Sequence, residues 1–292
     1  MLQPSRIALA VAAALACGTA LAAPTGTPGP APSKPVSLDA SDFKPTSGCE
    51  KLEGYDPQWA NHGDDYGLNQ PEAKADKPKG DKDKNPQYVW GFYQMHEHDG
   101  TLYAAFGGKM TKNVTPGALV ALDADTLALK NTIKLPFATH ALALSQDGKR
   151  AIATHTYVNA FSLVNLADGK ITCRKADTDV KGQKYRGRYV VLDEAGNFYI
   201  NYNTFAPGKP PSYLMKYTPE GEHAPGFTVQ SIGNGLVIPL AYLDGQVLTG
   251  THGVTAVDPK TGAPTPLTGM DEGLNVYNYV AGPGKQLLAS VY

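Results

Sequence analysis

The sequence lacks a large excess of charge of either sign, contains only three cysteines and has no long hydrophobic run. Its 26 basic and 27 acidic side chains leave a formal net charge of −1. Such a balance disfavours broad attraction to nucleic acid or to an anionic membrane surface. A membrane-spanning helix needs about 20 consecutive apolar residues, and no stretch of the chain approaches that length. We therefore expect no transmembrane segment.

Common catalytic signatures are also missing from the sequence. It contains no Gly-x-Ser-x-Gly nucleophile elbow, phosphate-binding loop, dinucleotide fingerprint, paired zinc-ligand motif or haem attachment sequence. The sequence therefore predicts no particular catalytic residue, no metal and no cofactor, and it leaves an enzymatic role open.

The first 22 residues have the pattern of a secretory signal peptide. Arg6 is the only charged side chain among them, an apolar stretch covers residues 7–15, and small residues precede a cleavage site before Ala23. The pattern predicts an exported, periplasmic protein in a bacterial host. Cys17 raises the question of a lipid anchor, although Ala14 stands three residues before it, where lipoproteins usually carry leucine.

Residues 23–87 form an extension rich in proline, glycine, lysine and aspartate. Such a composition buries too little apolar surface to offset its ordering entropy, so we expect most of the extension to be disordered. The segments Cys49–Leu52 and Tyr55–Trp59 carry enough apolar residues to dock on the folded body. Cys49 and Cys173 either pair in a disulfide or remain two unpaired thiols.

From residue 88 onward, short runs of alternating polarity are separated by two interleaved series of turns. The first series is Asp99-Gly100, Asp147-Gly148, Ala195-Gly196 and Asp244-Gly245, and the second is Asp125-Thr126, Asp168-Gly169, Glu220-Gly221 and Thr261-Gly262. Two turn series with one period indicate four strands per repeat. Repeats of this length and strand number are typical of propeller blades.

The predicted fold is therefore all-β, a β-propeller of four-stranded blades with four full blades and a partial fifth. Three parts follow along the chain. They are a signal peptide at 1–22, a mostly disordered extension at 23–87 and the propeller repeats at 88–292.

Two segments of the repeats, 116–123 and 140–149, resemble YVTN-type propellers, and the nearest likeness is the periplasmic YncE-like family. The resemblance covers residues 88–292. The family's Tyr-Val-Thr-Asn tetrapeptide is not present as such, and Asn201-Tyr202-Asn203 stands at one of its positions. The resemblance implies a seven-bladed propeller truncated before it closes, and it implies no catalytic residues.

Propellers bring the start of each innermost strand and the loop after each second strand to the mouth of the central channel. Arginine side chains at such a mouth can grip a carboxylate or phosphate at two points, and neutral imidazoles can hold a transition metal. Convergence of histidines from different blades is not encoded in the sequence, so we assign a ligand-binding role and no metal. The predicted ligand-binding residues are His140, His155, Arg186, Arg188, Asn203 and His252.

The leading hypothesis is a non-catalytic periplasmic binding or scaffold propeller, present as a monomer, that recognises a protein, a peptide or an anionic small molecule at the channel mouth. One alternative is a lactonase-like hydrolase or an oxidoreductase component, in which His155 or His252 acts as acid, base or metal ligand. A further alternative is single-stranded nucleic-acid binding by strand tyrosines beside the basic stretch 174–188.

Overall fold

The structure, a computed structural model, describes most of the repeats and a short part of the extension. The described residues are 38–39, 44–52, 55, 94–106, 117–176, 178–180, 183–204, 211–234, 239–250, 254–267, 276–282 and 286–291. They all belong to one unit, which spans Val36–Tyr292. The predicted signal peptide with Cys17, and the predicted site residue His252, lie outside the described residues.

Among the described residues, two short strands precede the repeats, and four sheets of four consecutive antiparallel strands follow, which we number blades 1 to 4. The short strands are β1 (Leu38–Asp39) and β2 (Ser47–Gly48). Blade 1 contains β3 (Met95–His98), β4 (Thr101–Phe106), β5 (Gly117–Asp123) and β6 (Leu129–Leu135). Blade 2 contains β7 (Ala141–Leu144), β8 (Arg150–His155), β9 (Ala160–Asn165) and β10 (Ile171–Lys175).

A small hairpin separates blade 2 from blade 3, and a two-stranded sheet follows blade 4. The hairpin is formed by β11 (Asp179–Val180) and β12 (Gln183–Lys184). Blade 3 contains β13 (Arg186–Leu192), β14 (Phe198–Asn203), β15 (Pro211–Tyr217) and β16 (Thr228–Asn234). Blade 4 contains β17 (Leu240–Leu243), β18 (Gln246–Thr249), β19 (Thr255–Val257) and β20 (Pro264–Pro266), and the last sheet contains β21 (Val276–Gly282) and β22 (Gln286–Val291). The predicted all-β fold with four-stranded blades is confirmed.

The turns that revealed the repeat in the sequence connect the first and second strands of blades 1 to 4. Their glycines, Gly100, Gly148, Gly196 and Gly245, have φ values of 68°, 66°, 81° and 77°. Glycine adopts this left-handed backbone without the steric cost that other residues incur. The spacing of these glycines in the sequence therefore marks the turn between the first and second strands of each blade.

Consecutive blades pack face to face. Their innermost strands contact one another in chain order, β3 with β7, β7 with β13, β13 with β17, and β17 with β21. The interface between blades 2 and 3 is rich in aromatic side chains, including Phe161, Phe198 and Tyr217, whose ring centroids lie 5.0 to 5.2 Å apart. The part of the chain that the structure describes contains no helical segment that could span a lipid bilayer.

Part of the extension docks on the outer edges of blades 2 and 3. Strand β1 pairs with β16 and strand β2 pairs with β10, so each of these sheets gains a fifth strand. Cys49 forms a disulfide with Cys173 of β10. The structure thus shows the bridge that the sequence left undecided, and we call residues 44–52 the strap. The sequence does not predict β1 and β2, because a two-residue strand is too short to show a period.

Candidate functional site

The predicted site residues that the structure describes lie at one end of blades 2 and 3. We call this the entry end, where the first strand of each blade begins and the second strand ends. His140 immediately precedes β7, Arg186 and Arg188 lie in the first half of β13, and His155 and Asn203 are the last residues of β8 and β14. The blade topology therefore brings these five residues to the same end of the sheets.

Two threonine hydroxyls of blade 2 hold the start of β13. The Thr154 hydroxyl donates a hydrogen bond to the Arg188 carbonyl at 2.6 Å, and the Thr156 hydroxyl donates to the Gly187 carbonyl at 2.7 Å. Both threonines are buried. The backbone that carries the two arginines is thus attached to the neighbouring blade.

Asn159, in the loop between β8 and β9, connects the same two blades. Its amide nitrogen donates to the Ala176 carbonyl at 2.7 Å and to the Thr178 hydroxyl at 2.8 Å, and its amide oxygen accepts from Gly187 N at 3.4 Å. Its backbone φ is 54°, a conformation that asparagine tolerates better than most residues. Asn159 therefore links the chain leaving blade 2 to the strand that opens blade 3.

The two arginines stand on either side of Gly187 and are half-buried. Arg186 is the register partner of Asn203 across β13 and β14, so their side chains lie on the same face of blade 3. The Arg186 guanidinium donates to the Tyr185 carbonyl at 3.0 Å. A guanidinium has five N–H donors, so this bond leaves further donors on Arg186 to meet a ligand.

His140 lies close to Arg188 and is buried, with 7% of its surface exposed. Its ring meets the Tyr189 ring edge to face, with centroids 5.8 Å apart. Burial, and secondarily the positive charge of Arg188, lower the pKa of His140 to about 3. The imidazole is therefore neutral at pH 7, and the positive charge here belongs to the arginines.

His155 is fully buried inside blade 2. One ring nitrogen, Nε2, shares a hydrogen bond with the Ser162 hydroxyl at 2.7 Å, and Nδ1 lies 3.3 Å from the Ala138 carbonyl. Burial lowers its pKa to about 4. The structure therefore places His155 in the blade interior, with both ring nitrogens engaged.

His96, at the start of blade 1, is bonded to the next blade. Its Nε2 lies 2.7 Å from the Leu142 carbonyl of β7. Within the described ranges, no group of three or more His, Cys, Asp and Glu side chains is placed to hold a metal ion.

The sequence did not identify Thr154, Thr156, Asn159 and Thr178, which form polar contacts at the entry end of blades 2 and 3. The sequence contains part of the information needed to predict these contacts. The stretch from Thr154 to Asn159 carries several polar side chains where a strand ends, at a position that the repeat aligns with the mouth.

No family model matches the chain, and no curated protein matches it. Solved structures do. A nidogen/laminin complex chain is 15% identical, covering 66% of this chain and 68% of that chain at a TM-score of 0.46. The WD40 domain of Toxoplasma gondii coronin is 11% identical over 65% of this chain and 48% of that chain, with a TM-score of 0.46. The β-propeller domain of Myceliophteria thermophila Cps50 (Swd1) is 13% identical over 68% and 62%, at 0.44. At these identities the similarity concerns the fold alone.

Proposed function

We propose that this protein is a non-catalytic binding propeller that recognises an anionic group, on a protein, a peptide or a small molecule, at the entry end of blades 2 and 3. One observation carries the proposal. Arg186 and Arg188 flank Gly187, whose carbonyl is bonded to Thr156 of the neighbouring blade. Two guanidinium side chains are thus presented from a backbone that cannot shift without breaking contacts between blades.

Such an arrangement favours binding of carboxylate or phosphate groups. A guanidinium matches the two oxygens of these anions with parallel N–H donors. Attachment of the backbone lowers the ordering cost of binding, because the arginines' main chain is already held before the ligand arrives. Asn203, opposite Arg186 in the register, is buried, so a ligand contact by its amide stays a prediction.

Two of the three predicted histidines, His140 and His155, have different roles in this proposal. Neutral His140, beside Arg188, contributes a hydrogen-bonding ring without adding charge. His155 supports the blade interior and is left out of the ligand contacts, since both of its ring nitrogens are engaged. This engagement also counts against His155 as the catalytic group of a hydrolase or oxidoreductase. A ligand contact by His252 stays a prediction.

The cellular location follows from the sequence pattern and the disulfide together. Residues 1–22 resemble a signal peptide, and disulfides persist in oxidising compartments such as the bacterial periplasm. We infer that the protein acts in the periplasm after cleavage before Ala23. Its resemblance to YncE-like propellers and the division into residues 1–22, 23–87 and 88–292 belong to the same proposal.

A calorimetric titration of the mature protein tests the proposed site. The probes are inorganic phosphate, citrate and a tetraglutamate peptide, and the variant is the double substitution R186Q/R188Q, which keeps a polar side chain and removes the charge. We expect at least one probe to bind the wild type and to bind the variant at least tenfold more weakly. A hydrogen bond to a charged group contributes about 1.5 to 3 kcal/mol, and about 1.4 kcal/mol corresponds to tenfold.

The matched control is K149Q, which removes an exposed positive charge at the turn between β7 and β8, the opposite end of blade 2. It should leave the affinity unchanged. Equal affinity of the wild type and R186Q/R188Q for every probe would show that the arginine pair does not bind the anion.

A further inference from the structure

The same kind of hydrogen bond occurs in blades 2 and 3. A cationic side chain of the blade donates to a backbone carbonyl in a turn of the next blade. In these turns, between the third and fourth strands, the first residue caps the turn through its side chain, and the second residue offers its carbonyl to the preceding blade. Lys216 of blade 3 donates to the Pro259 carbonyl of blade 4 at 2.7 Å. Arg150 of blade 2 donates to the Pro219 carbonyl of blade 3.

In blade 3 the cation also lies on an aromatic ring. The ammonium of Lys216 is 5.3 Å from the centroid of the Tyr199 ring, and Tyr199 is its register partner across β14 and β15. The Tyr199 hydroxyl donates to the same Pro259 carbonyl at 3.1 Å. The same ammonium lies 3.9 Å from the buried Asp193 carboxylate. A carbonyl, a tyrosine ring and a carboxylate thus form a site for one ammonium group.

Blade 1 has the tyrosine but lacks the cation. Lys216 lies two residues before the capping residue Thr218, and the equivalent position before the cap Asp123 is Ala121. Its register partner across β4 and β5 is Tyr103, the equivalent of Tyr199. A small residue therefore replaces the lysine.

The position that Arg150 occupies in blade 2 also holds a small residue in blade 1. Arg150 is the register partner of the cap Asn165, and the partner of the cap Asp123 is Thr101. Blades 2 and 3 each bond the turn of the next blade through a cationic side chain at one of these two positions. In blade 1 both positions carry a short, uncharged side chain.

A cavity of about 180 Å³ lies where those side chains would be. Thr101, Tyr103, Ala121 and Leu166 line it, together with side chains of β6. Leu166 is the residue after the cap of blade 2 and so is the equivalent of Pro219 and Pro259. Within the described part of the chain, no donor is bonded to the Leu166 carbonyl. For scale, a cavity of about 150 Å³ is large enough to bind benzene.

The one lysine that lines the cavity is engaged in its own blade. The ammonium of Lys130 donates to the Gly100 carbonyl at 3.0 Å and to the Thr101 hydroxyl at 3.3 Å, and it lies 3.1 Å from the Asp123 carboxylate. Asp123 offsets its charge. Lys130 therefore does not replace the missing cation.

We propose that the cavity between blades 1 and 2 binds a primary alkylammonium group, either a free amine or the side chain of a lysine on a partner. The alkyl chain lies along Ala121 and Leu119, the ammonium stands over the Tyr103 ring, and it donates to the Leu166 carbonyl as Lys216 does to Pro259. This site is separate from the entry end, because Leu166 and Thr101 lie at the opposite end of the blades.

Binding of three probes to the mature protein, followed by calorimetry and by the NMR signals of Tyr103, tests this site. The probes are n-pentylamine, its neutral analogue 1-pentanol, and Nα-acetyl-lysine amide. We expect pentylammonium to bind at least tenfold more tightly than pentanol. Binding of the lysine derivative with similar affinity would identify a partner's lysine as the natural occupant, and its exclusion would identify a free amine.

Two substitutions should close the cavity from different sides. A121L fills it from its floor, and T101R reproduces the arrangement of Arg150 from its rim. Each should weaken pentylammonium binding at least tenfold, whereas A128L, which adds the same leucine at an exposed position of the turn, should not. Y103L should weaken binding and Y103F should retain it.

Three outcomes would overturn the proposal. They are equal affinity for pentanol and pentylammonium, no pentylammonium binding at millimolar concentration, and unchanged binding by T101R, whose position is partly exposed and tolerates a long side chain. None of these outcomes depends on the arginine pair, so the two proposed sites fail or hold separately.

Discussion

Individual buried polar side chains determine how the entry end is built. The buried side chains of Thr154, Thr156 and Asn159 are bonded to the backbone of Gly187 and Arg188 in blade 3. A buried polar group left without its partner costs about 1 to 3 kcal/mol. These residues therefore stabilise the contact between blades 2 and 3, and they set the position of Arg186 and Arg188.

Buried histidines make the stability of the fold depend on pH. Burial lowers the pKa of His140 to about 3 and of His155 to about 4, below the value of about 6.5 for an unfolded chain. Protons therefore bind the unfolded state first as the pH falls. We expect each histidine to reduce the free energy of unfolding by about 2 kcal/mol between pH 8 and pH 5.

Urea denaturation at a series of pH values measures this effect. Burial also lowers the pKa of His96 and His223, which act in the same direction, so the contribution of one residue is obtained by comparison. The variant H140Q should show a smaller loss of stability between pH 7 and pH 5 than the wild type. The same loss in both proteins would contradict the neutral, buried state assigned to His140.

At the level of elements, the strap is an added strand held by a covalent bond. Its ladder with β10 involves two residues on each strand, and Thr46 donates to the Gly221 carbonyl at 2.9 Å and to the Glu222 carboxylate at 2.7 Å. Cys49 packs with Phe137 and Ala160 in a small apolar cluster. So short a ladder adds little by itself, and the disulfide therefore accounts for much of the strap's attachment.

Removal of the disulfide should lower stability substantially. Cys49 and Cys173 are 124 residues apart in the sequence, and closing a loop of about 100 residues restricts the unfolded chain by up to roughly 4.7 kcal/mol. We expect the double variant C49S/C173S to lose several kcal/mol in urea denaturation and to be cleaved by trypsin after Lys51 sooner than the wild type. Dithiothreitol should reproduce both effects in the wild type and change nothing in the variant.

At the level of the whole molecule, the fold could be predicted because its signals are local. The turn glycines such as Gly148 and Gly196 need a left-handed backbone, and the alternating runs between them mark strands. For the site at the entry end, the sequence predicted the position and not the contacts that build it. The repeat indicates which end of each blade carries His140 and Arg188, but Thr156 meets Gly187 across two blades, and no sequence period records such a contact.

The cavity between blades 1 and 2 also could not be predicted from the sequence. In the sequence, Ala121 is an ordinary small residue of a strand. That it stands in the place of a lysine is recognised only because the register pairs it with Tyr103 and the blade repeat aligns it with Lys216. The missing lysine is therefore visible when the blades of this chain are superimposed by register, and not from the spacing of residues along the sequence.

Side-chain NMR can show whether Arg186 and Arg188 bind an anion together. After removal of residues 1–22, the protein has four arginines, at positions 150, 174, 186 and 188. Their Nε–H signals can be assigned by single substitutions and followed during titration with citrate, phosphate or tetraglutamate. We predict that the Arg186 and Arg188 signals shift saturably with one shared dissociation constant while those of Arg150 and Arg174 stay in place. Saturable shifts confined to Arg150 or Arg174, or no saturable shift with any probe, would show that the arginine pair does not bind the anion.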